Sequence, residues 1–135
     1  MRVFLDTNVL AAAFGTRGLC ADLVRYVLSE HQLITGDVVL RELRDVLARR
    51  FGLPARDIRD IVAFLHEQEV APKPKQPASM PARDADDPWI LASAVAGRSD
   101  VLVTGDRDLL EIADAAPLPI LSPRGFWEFV RKKED

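Results

Sequence analysis

The chain opens with Met1-Arg-Val-Phe-Leu-Asp-Thr-Asn-Val-Leu10, and this stretch decides the fold. The uninterrupted apolar run from Val3 to Leu5 is typical of a strand in a parallel sheet that is covered on both faces. The run stops at Asp6, so a carboxylate sits where the strand ends. Because ligands of open α/β sheets bind outside the carboxyl ends of the strands, we expect chemistry at Asp6 and the Thr-Asn pair that follows it.

Downstream of this stretch, strand-like and helix-like patterns alternate. Further strands are predicted at residues 33–34, 70–71, 101–103 and 119–121, the last of them at an edge of the sheet. Helices are predicted at residues 9–14, 19–30, 35–50, 54–68, 88–96, 109–113 and 126–130. This alternation predicts a parallel sheet with helices on both of its faces.

Residues 72–88 differ in composition from the rest of the chain, since they hold five of its nine prolines. Proline has no backbone N–H and fits neither a helix interior nor a central strand. The segment therefore predicts an extended surface crossover within one domain, not a linker between two. It leads the chain to three acidic residues, Asp84, Asp86 and Asp87.

Length and composition set the limits of the prediction. At 135 residues, with 48% of them apolar, the chain has the size and the hydrophobic content of one domain, which we place at residues 1–135. Because no apolar run is long enough to span a membrane and no signal segment precedes the first strand, we expect a soluble, cytoplasmic protein. The lone Cys20 excludes an intrachain disulfide, and with only His31 and His66 beside it argues against a zinc site. The net charge of −3 does not indicate a nucleic-acid binder, although a carboxylate-rich site that binds metal would produce the same balance.

Four acidic residues stand out along the chain, and each also has an ordinary structural explanation. Asp6 and Asp87 lie where helix caps are expected, Glu42 lies at the border of the apolar stripe of its helix, and Asp106 lies in a turn-like segment. Two separate strands, however, end in Asp-Thr-Asn and Thr-Gly-Asp, which would place polar groups at one edge of one sheet. We therefore expect these acids to converge on a shared pocket.

Together these stretches resemble the PIN domain family. The resemblance rests on Asp6-Thr-Asn-Val-Leu10, Glu42, Asp87-Pro-Trp-Ile-Leu-Ala-Ser-Ala94 and Val103-Thr-Gly-Asp-Arg-Asp-Leu-Leu110, which occur in the family's order over essentially the whole chain. More narrowly, they resemble the toxin-type, VapC-like PIN proteins of prokaryotic toxin-antitoxin systems.

The resemblance implies a three-layer α/β/α sandwich with a central, mainly parallel sheet of four to five strands. It also implies a Mg²⁺- or Mn²⁺-dependent endoribonuclease that hydrolyses phosphodiester bonds of single-stranded or structured RNA. The family's catalytic and metal-binding positions fall on Asp6, Glu42, Asp87 and Asp106, and supporting roles are predicted for Asn8, Thr104, Asp108, Thr7 and Asp84. A cognate antitoxin and a homodimeric state are implied by the resemblance alone.

The proposed chemistry requires residues of these types. Hard divalent cations prefer oxygen ligands. Two carboxylates about 4 Å apart repel by about 4 kcal/mol at an effective dielectric near 20, so such a cluster calls for a cation. Three arginines lie near the motifs in sequence and are candidates for contacts to RNA phosphates: Arg44, Arg83 and Arg107.

Three alternative functions compete with this hypothesis. A receiver-type phosphoacceptor domain would need an acidic pair after the first strand, but Asp6 is followed by Thr and Asn. A haloacid-dehalogenase-type phosphatase would need Asp-x-Asp, which Asn8 breaks. A catalytically silent PIN fold that binds RNA or a protein is disfavoured because all four acids are present.

Overall fold

A central five-stranded parallel sheet organises the computed structural model, which describes residues 1–134. Its strands are β1 (Arg2–Leu5), β2 (Gln32–Gly36), β3 (Glu69–Ala71), β4 (Val101–Val103) and β5 (Ile120–Leu121). The helices are α1 (Thr7–Gly15), α2 (Leu19–Glu30), α3 (Asp37–Arg49), α4 (Ala55–His66), α5 (Asp87–Ala96), α6 (Arg107–Glu111) and α7 (Pro123–Glu134). A short 3₁₀ turn lies at Ala113–Ala115.

The strands lie in the order β3-β2-β1-β4-β5, and every neighbouring pair is parallel. The chain moves outward from β1 to β3, then crosses back to β4 on the other side of β1. Because β-α-β crossovers are right-handed, this reversal moves α5 to the opposite face of the sheet. α5 accordingly packs on β2, β3 and β4, while α3 packs on β2 and α4 on β3. The predicted three-layer α/β/α architecture is confirmed.

This strand order also bears on the receiver alternative. Flavodoxin-like folds, to which receiver domains belong, have the order 2-1-3-4-5. The order 3-2-1-4-5 places the first strand in the middle of the sheet, with β4 as its second neighbour. The receiver alternative therefore fails on topology as well as on its motifs.

The central strands are buried as their composition predicts. Val3, Phe4 and Leu5 are each 0% exposed, and all of β4 is buried as well. Full burial of one such side chain contributes about 1.5–3 kcal/mol to the stability of the fold. Because all their apolar side chains are buried, β1 and β4 form the centre of the hydrophobic core. The polar residues that follow these two strands are thereby held on a rigid support.

Two boundaries near the sheet differ from the sequence prediction, each for a local reason. α1 begins at Thr7 and not at Val9, because the Asp6 carboxylate accepts a hydrogen bond from the Thr7 N–H (2.6 Å) and caps the helix. Thr35 and Gly36, expected to start a helix, instead extend β2 and pair with β3.

The last helix is longer than predicted. α7 begins at Pro123, three residues before the predicted start at Phe126. The hydroxyl of Ser122 accepts a hydrogen bond from the Gly125 N–H (3.0 Å), which satisfies one of the free donors of the first turn. A Ser followed by a Pro at the first helical position is a start signal that the apolar pattern alone does not reveal.

The proline-rich crossover is irregular from residue 72 to residue 86, as predicted. It is tied to the start of α5 by a hydrogen bond from the Ala78 N–H to the Pro88 carbonyl (2.9 Å). Across residues 1–134, the longest apolar helical stretch falls short of what a membrane-spanning helix needs.

Candidate metal centre

The candidate site lies at the carboxyl ends of β1 and β4, where the strand order reverses. Asp6 follows β1 directly, and its N–H continues the sheet by donating to the Val103 carbonyl (3.1 Å). Thr104 follows β4 in the same way. In open α/β sheets such a reversal leaves a crevice between two neighbouring strands, and ligands bind there.

Asp6 is a buried carboxylate with both of its oxygens in use. Its side chain accepts the Thr7 N–H (2.6 Å) on one oxygen and the Thr104 hydroxyl (2.7 Å) on the other. Burial raises the pKa of Asp6 from 3.8 to about 6. The hydrogen bonds from Thr104 and Thr7 oppose this rise, and the nearby Asp106 carboxylate adds to it.

Hydrogen bonds of the Asn8 and Thr104 side chains link the segments that follow β1 and β4. The Asn8 side chain accepts the Gly105 N–H (2.9 Å) and lies 3.5 Å from the Thr104 hydroxyl. That hydroxyl also accepts the Asp106 N–H (2.9 Å). Asp106 in turn caps α6 by accepting the Leu109 N–H (3.1 Å). The supporting positions predicted from the resemblance therefore fix the loop that carries Asp106.

A second group of carboxylates joins this edge from the crossover. Ligand oxygens of Asp84, Asp87 and Asp106 all lie within 4.8 Å of one another. Burial, followed by the neighbouring Asp106 carboxyl, raises the pKa of Asp87 from 3.8 to about 8, and the charges of Asp84 and Asp6 contribute as well. Asp87 is only 2% exposed, and its Oδ2 has no hydrogen-bond partner within residues 1–134.

Glu42 reaches the same area from α3. Burial raises its pKa from 4.5 to about 7, against a lowering contribution from the Thr7 hydroxyl. Contact with the Asp86 carboxyl and the charge of Asp6 raise it further. The side chain is half-buried, as the border position in the helix predicted. The four acids assigned from the resemblance thus interact in one continuous cluster.

The residues present fit a hard divalent cation. The donors are carboxylate oxygens, which Mg²⁺ and Mn²⁺ prefer, and no Cys or His belongs to the three-carboxylate group. A buried carboxylate oxygen without a partner costs about 1–3 kcal/mol or more, so the free Oδ2 of Asp87 indicates a position meant for a positive ligand. Within residues 1–134, Asp84, Asp87 and Asp106 form a group whose carboxylate oxygens lie close enough together to hold such an ion.

Asp108 and Arg83, which the sequence placed in supporting and RNA-binding roles, contact each other. The Arg83 guanidinium donates to Asp108 Oδ1 (2.6 Å), and the Arg83 N–H donates to Asp108 Oδ2 (3.0 Å). This pairing lowers the pKa of Asp108. Within the described residues, the pair joins the crossover to α6, directly before Asp84.

The other two arginines are less closely associated with the acids. Arg44 lines a groove between α3 and α4, together with residues such as Ile58 and Val62, and none of the four assigned acids lines it. Arg107 is exposed at the start of α6, next to Asp106. RNA contacts by these side chains stay predictions.

Asp86 is a member of the cluster that the sequence left undecided. Its carboxyl lies beside Glu42, whereas the Asp84 carboxyl lies near those of Asp87 and Asp106. The sequence Asp84-Ala-Asp-Asp87 indicates that the crossover supplies more than one carboxylate to the site. Which of these acids contacts which partner is decided by the backbone turn before α5. That turn includes hydrogen bonds from the Asp86 N–H to Asp84 Oδ1 (2.9 Å) and from the Asp87 N–H to the Asp84 carbonyl (3.2 Å).

Three solved structures share this fold at low sequence identity. VapBC2 from Rickettsia felis, bound to a DNA fragment from their promoter, gives a TM-score of 0.63 at 15% identity, over 90% of this chain and 98% of that chain. VapBC-1 from nontypeable Haemophilus influenzae gives a TM-score of 0.60 at 21% identity, over 92% of this chain and 99% of that chain. FitAcB from Neisseria gonorrhoeae gives a TM-score of 0.62 at 16% identity, over 90% of this chain and 98% of that chain.

Sequence comparison gives the family directly. Among the curated proteins, none matches the chain. The sequence model of the PIN domain matches residues 2–108, a range that contains Asp6, Glu42, Asp87 and Asp106. The chain therefore belongs to the PIN domain family.

Proposed function

We propose that this protein is a Mg²⁺- or Mn²⁺-dependent endoribonuclease and the toxin component of a type II toxin-antitoxin system. The observation that carries the proposal is the cluster of carboxylates at the carboxyl ends of β1 and β4. Three of its members lie within 4.8 Å of one another, and one of these has a buried oxygen without a partner. Without a cation such an arrangement is electrostatically costly, and with one it is the donor set of a metal-dependent phosphodiesterase.

Each acid has a distinct part in the proposed reaction. A divalent cation, when bound, polarises the phosphate and lowers the pKa of the attacking water. Asp84, Asp87 and Asp106 would hold the cation. Asp6, whose carboxylate is held by hydrogen bonds from the Thr7 N–H and the Thr104 hydroxyl, would add negative charge next to Asp106. Glu42, which is half-buried and has a pKa near 7, is positioned to orient water and accept its proton.

The proposed partners rest on the resemblance and on the similar structures. The sequence resembles VapC-like toxins, and two of the structures that share the fold are named VapBC. A cognate antitoxin and a second copy of the chain are therefore proposed as binding partners, and RNA as the substrate. A PIN fold without catalytic activity would not need acidic residues at the catalytic positions. All four assigned positions are acidic in this chain, which favours the nuclease over the inactive alternative.

The decisive experiment incubates purified protein with labelled RNA in the presence of Mn²⁺, with EDTA, and as the Asp6→Asn variant. We expect cleavage that EDTA abolishes and that Asp6→Asn reduces by at least about 100-fold, a magnitude typical of a lost electrostatic group in an active site. Asp60→Asn, an exposed carboxylate on α4, is the matched control and should cleave as the wild type does. Cleavage that survives both EDTA and Asp6→Asn would refute the mechanism.

A further inference from the structure

A pocket of about 400 Å³ lies beside the candidate metal centre, between α3, the crossover and the start of α5. Two of its walls are Glu42 and Asp86, the carboxyls that contact each other in the cluster. Its other walls include Trp89 and three more charged residues, Arg41, Asp45 and Lys73. The volume falls within the range of about 300–1,000 Å³ that is usual for small-molecule sites.

Trp89 is the aromatic residue among those that line this pocket. It lies in the first turn of α5, two residues after Asp87, and is half-buried. It lies outside the hydrophobic core, whereas the chain's other tryptophan, Trp127, packs against the core beside Tyr26 and Phe126. Core packing therefore accounts for Trp127 but not for Trp89.

A contact with Lys73 shows that one face of the Trp89 ring is accessible to a cation. The ammonium group of Lys73, which the crossover supplies, lies 4.6 Å from the centroid of the ring. Cations take this position over the electron-rich face of an aromatic ring. A flat group that stacks on that face would displace the ammonium, which would then be free to contact an anion. Arg41, exposed on α3, adds a second cation at the same pocket.

An aromatic ring flanked by two cations is a surface on which single-stranded nucleic acid binds. Bases that are not paired stack on aromatic side chains, and cations follow the phosphate backbone. Because Glu42 and Asp86 belong to both the pocket and the acidic cluster, a nucleotide held here has its phosphate next to the candidate metal centre. Building on the proposed function, we infer that this pocket binds one unpaired nucleotide of the RNA substrate, with its base on Trp89 and its phosphate facing Arg41 and Lys73.

Tryptophan fluorescence tests the inference without requiring cleavage. The chain has two tryptophans, so Trp127→Phe leaves Trp89 as the only one, and Trp89→Phe leaves only Trp127. The probes are adenosine 5′-monophosphate and ribose 5-phosphate in Mg²⁺, since neither contains the phosphodiester bond that the proposed enzyme hydrolyses. We expect adenosine 5′-monophosphate to quench the fluorescence of Trp127→Phe but not that of Trp89→Phe. Ribose 5-phosphate should quench the fluorescence of neither variant. Quenching by both probes, or by neither, in Trp127→Phe would overturn the inference.

A second measurement uses RNA and separates this inference from the proposed function. Trp89→Ala should raise the KM for single-stranded RNA by roughly 5- to 150-fold, the loss expected for one stacked base, while Trp89→Phe keeps most of the affinity. The rise in Tm on adding Mn²⁺ should be the same in Trp89→Ala as in the wild type. An unchanged KM in a folded Trp89→Ala protein would contradict the nucleotide pocket, and cleavage by the wild type would still support the nuclease. Quenching at Trp89 without cleavage would instead support the pocket and refute the nuclease.

Discussion

Replacing Asp6 by asparagine should stabilise the metal-free protein and weaken its response to Mn²⁺. The carboxylate is 2% exposed, and burial raises its pKa from 3.8 to about 6. The ionised form is therefore less stable in the folded protein than in the unfolded chain. This cost is absent below a pH of about 4, grows between about 4 and 6, and is complete above that range.

The magnitude follows from the pKa and from the two hydrogen bonds. A rise from 3.8 to about 6 corresponds to about 3 kcal/mol at pH 8, because each pKa unit is worth about 1.4 kcal/mol. Asparagine keeps an acceptor for the Thr7 N–H but offers no acceptor to the Thr104 hydroxyl, which costs about 1–2 kcal/mol. The net gain is about 1–2 kcal/mol, or roughly 4–8 °C in Tm for a chain of this size.

Mn²⁺ should reverse this order of stability. A ligand that binds only the folded protein stabilises it by about 2.7 kcal/mol at a concentration 100 times its Kd. The wild type should therefore gain roughly 10 °C in Tm at saturating Mn²⁺. Asp6→Asn should gain much less, because the carboxylate charge next to the Asp106 carboxylate is lost.

Thermal unfolding at pH 5 and pH 8, each with Mn²⁺ and with EDTA, measures these effects. The advantage of Asp6→Asn in EDTA should be large at pH 8 and small at pH 5, where the wild-type carboxyl is protonated. The exposed Asp60→Asn variant should match the wild type under all four conditions. An Asp6→Asn protein that is less stable than the wild type in EDTA at pH 8, or that gains as much from Mn²⁺, would refute the reasoning.

Further predictions concern the groups around the cluster. Asp108→Asn should loosen the Arg83 contact that precedes Asp84, and isothermal titration calorimetry should show roughly 10-fold weaker Mn²⁺ binding; an unchanged Kd would show that the pair has no influence on the site. Thr104→Val removes the donor to Asp6 and should raise the carboxyl pKa above its wild-type value, which NMR titration of that carboxyl would detect; a lower pKa would contradict the assignment. The metal-free wild type should lose stability as pH rises from about 4 to 8, because three carboxyls have raised pKa values and the unfolded chain binds fewer protons there; urea unfolding in EDTA checks the sign, and stability that rises over this range would be the contrary result.

The sequence predicts the central strands best, because β1 and β4 each contain a short, continuous apolar run. Val3 to Leu5 and Val101 to Val103 lie between polar segments, so the ends of both strands and the residues after them could be placed without coordinates. Neighbouring parallel strands end at one edge, which explains why Asp6 and Asp106 lie near each other.

The crossover shows where such prediction stops. Asp84, Asp86 and Asp87 are similar in sequence terms, and all three lie at or just before the start of α5. Their side chains separate only because the backbone turns between residues 84 and 87, which places Asp84 and Asp87 beside Asp106 and Asp86 beside Glu42. No helical or strand period describes that turn, because it is a short irregular segment held by its own local hydrogen bonds.

The same limit applies to charged residues near motifs. Proximity in sequence to the motifs makes Arg83 a candidate for RNA contacts, and the family resemblance implies a supporting role for Asp108. In the structure each is the other's partner, across 25 residues of sequence. Proximity in sequence identifies the neighbourhood of a charged side chain, but the partner it contacts is set by the packing of the crossover on α6.

The most direct test of the carboxylate cluster as a metal centre is anomalous X-ray scattering from crystals grown with millimolar Mn²⁺. An anomalous peak is predicted between the carboxylates of Asp84, Asp87 and Asp106, within coordination distance of Asp87 Oδ2. Well-ordered crystals in which these carboxylates are visible and no Mn²⁺ peak lies among them would contradict the account.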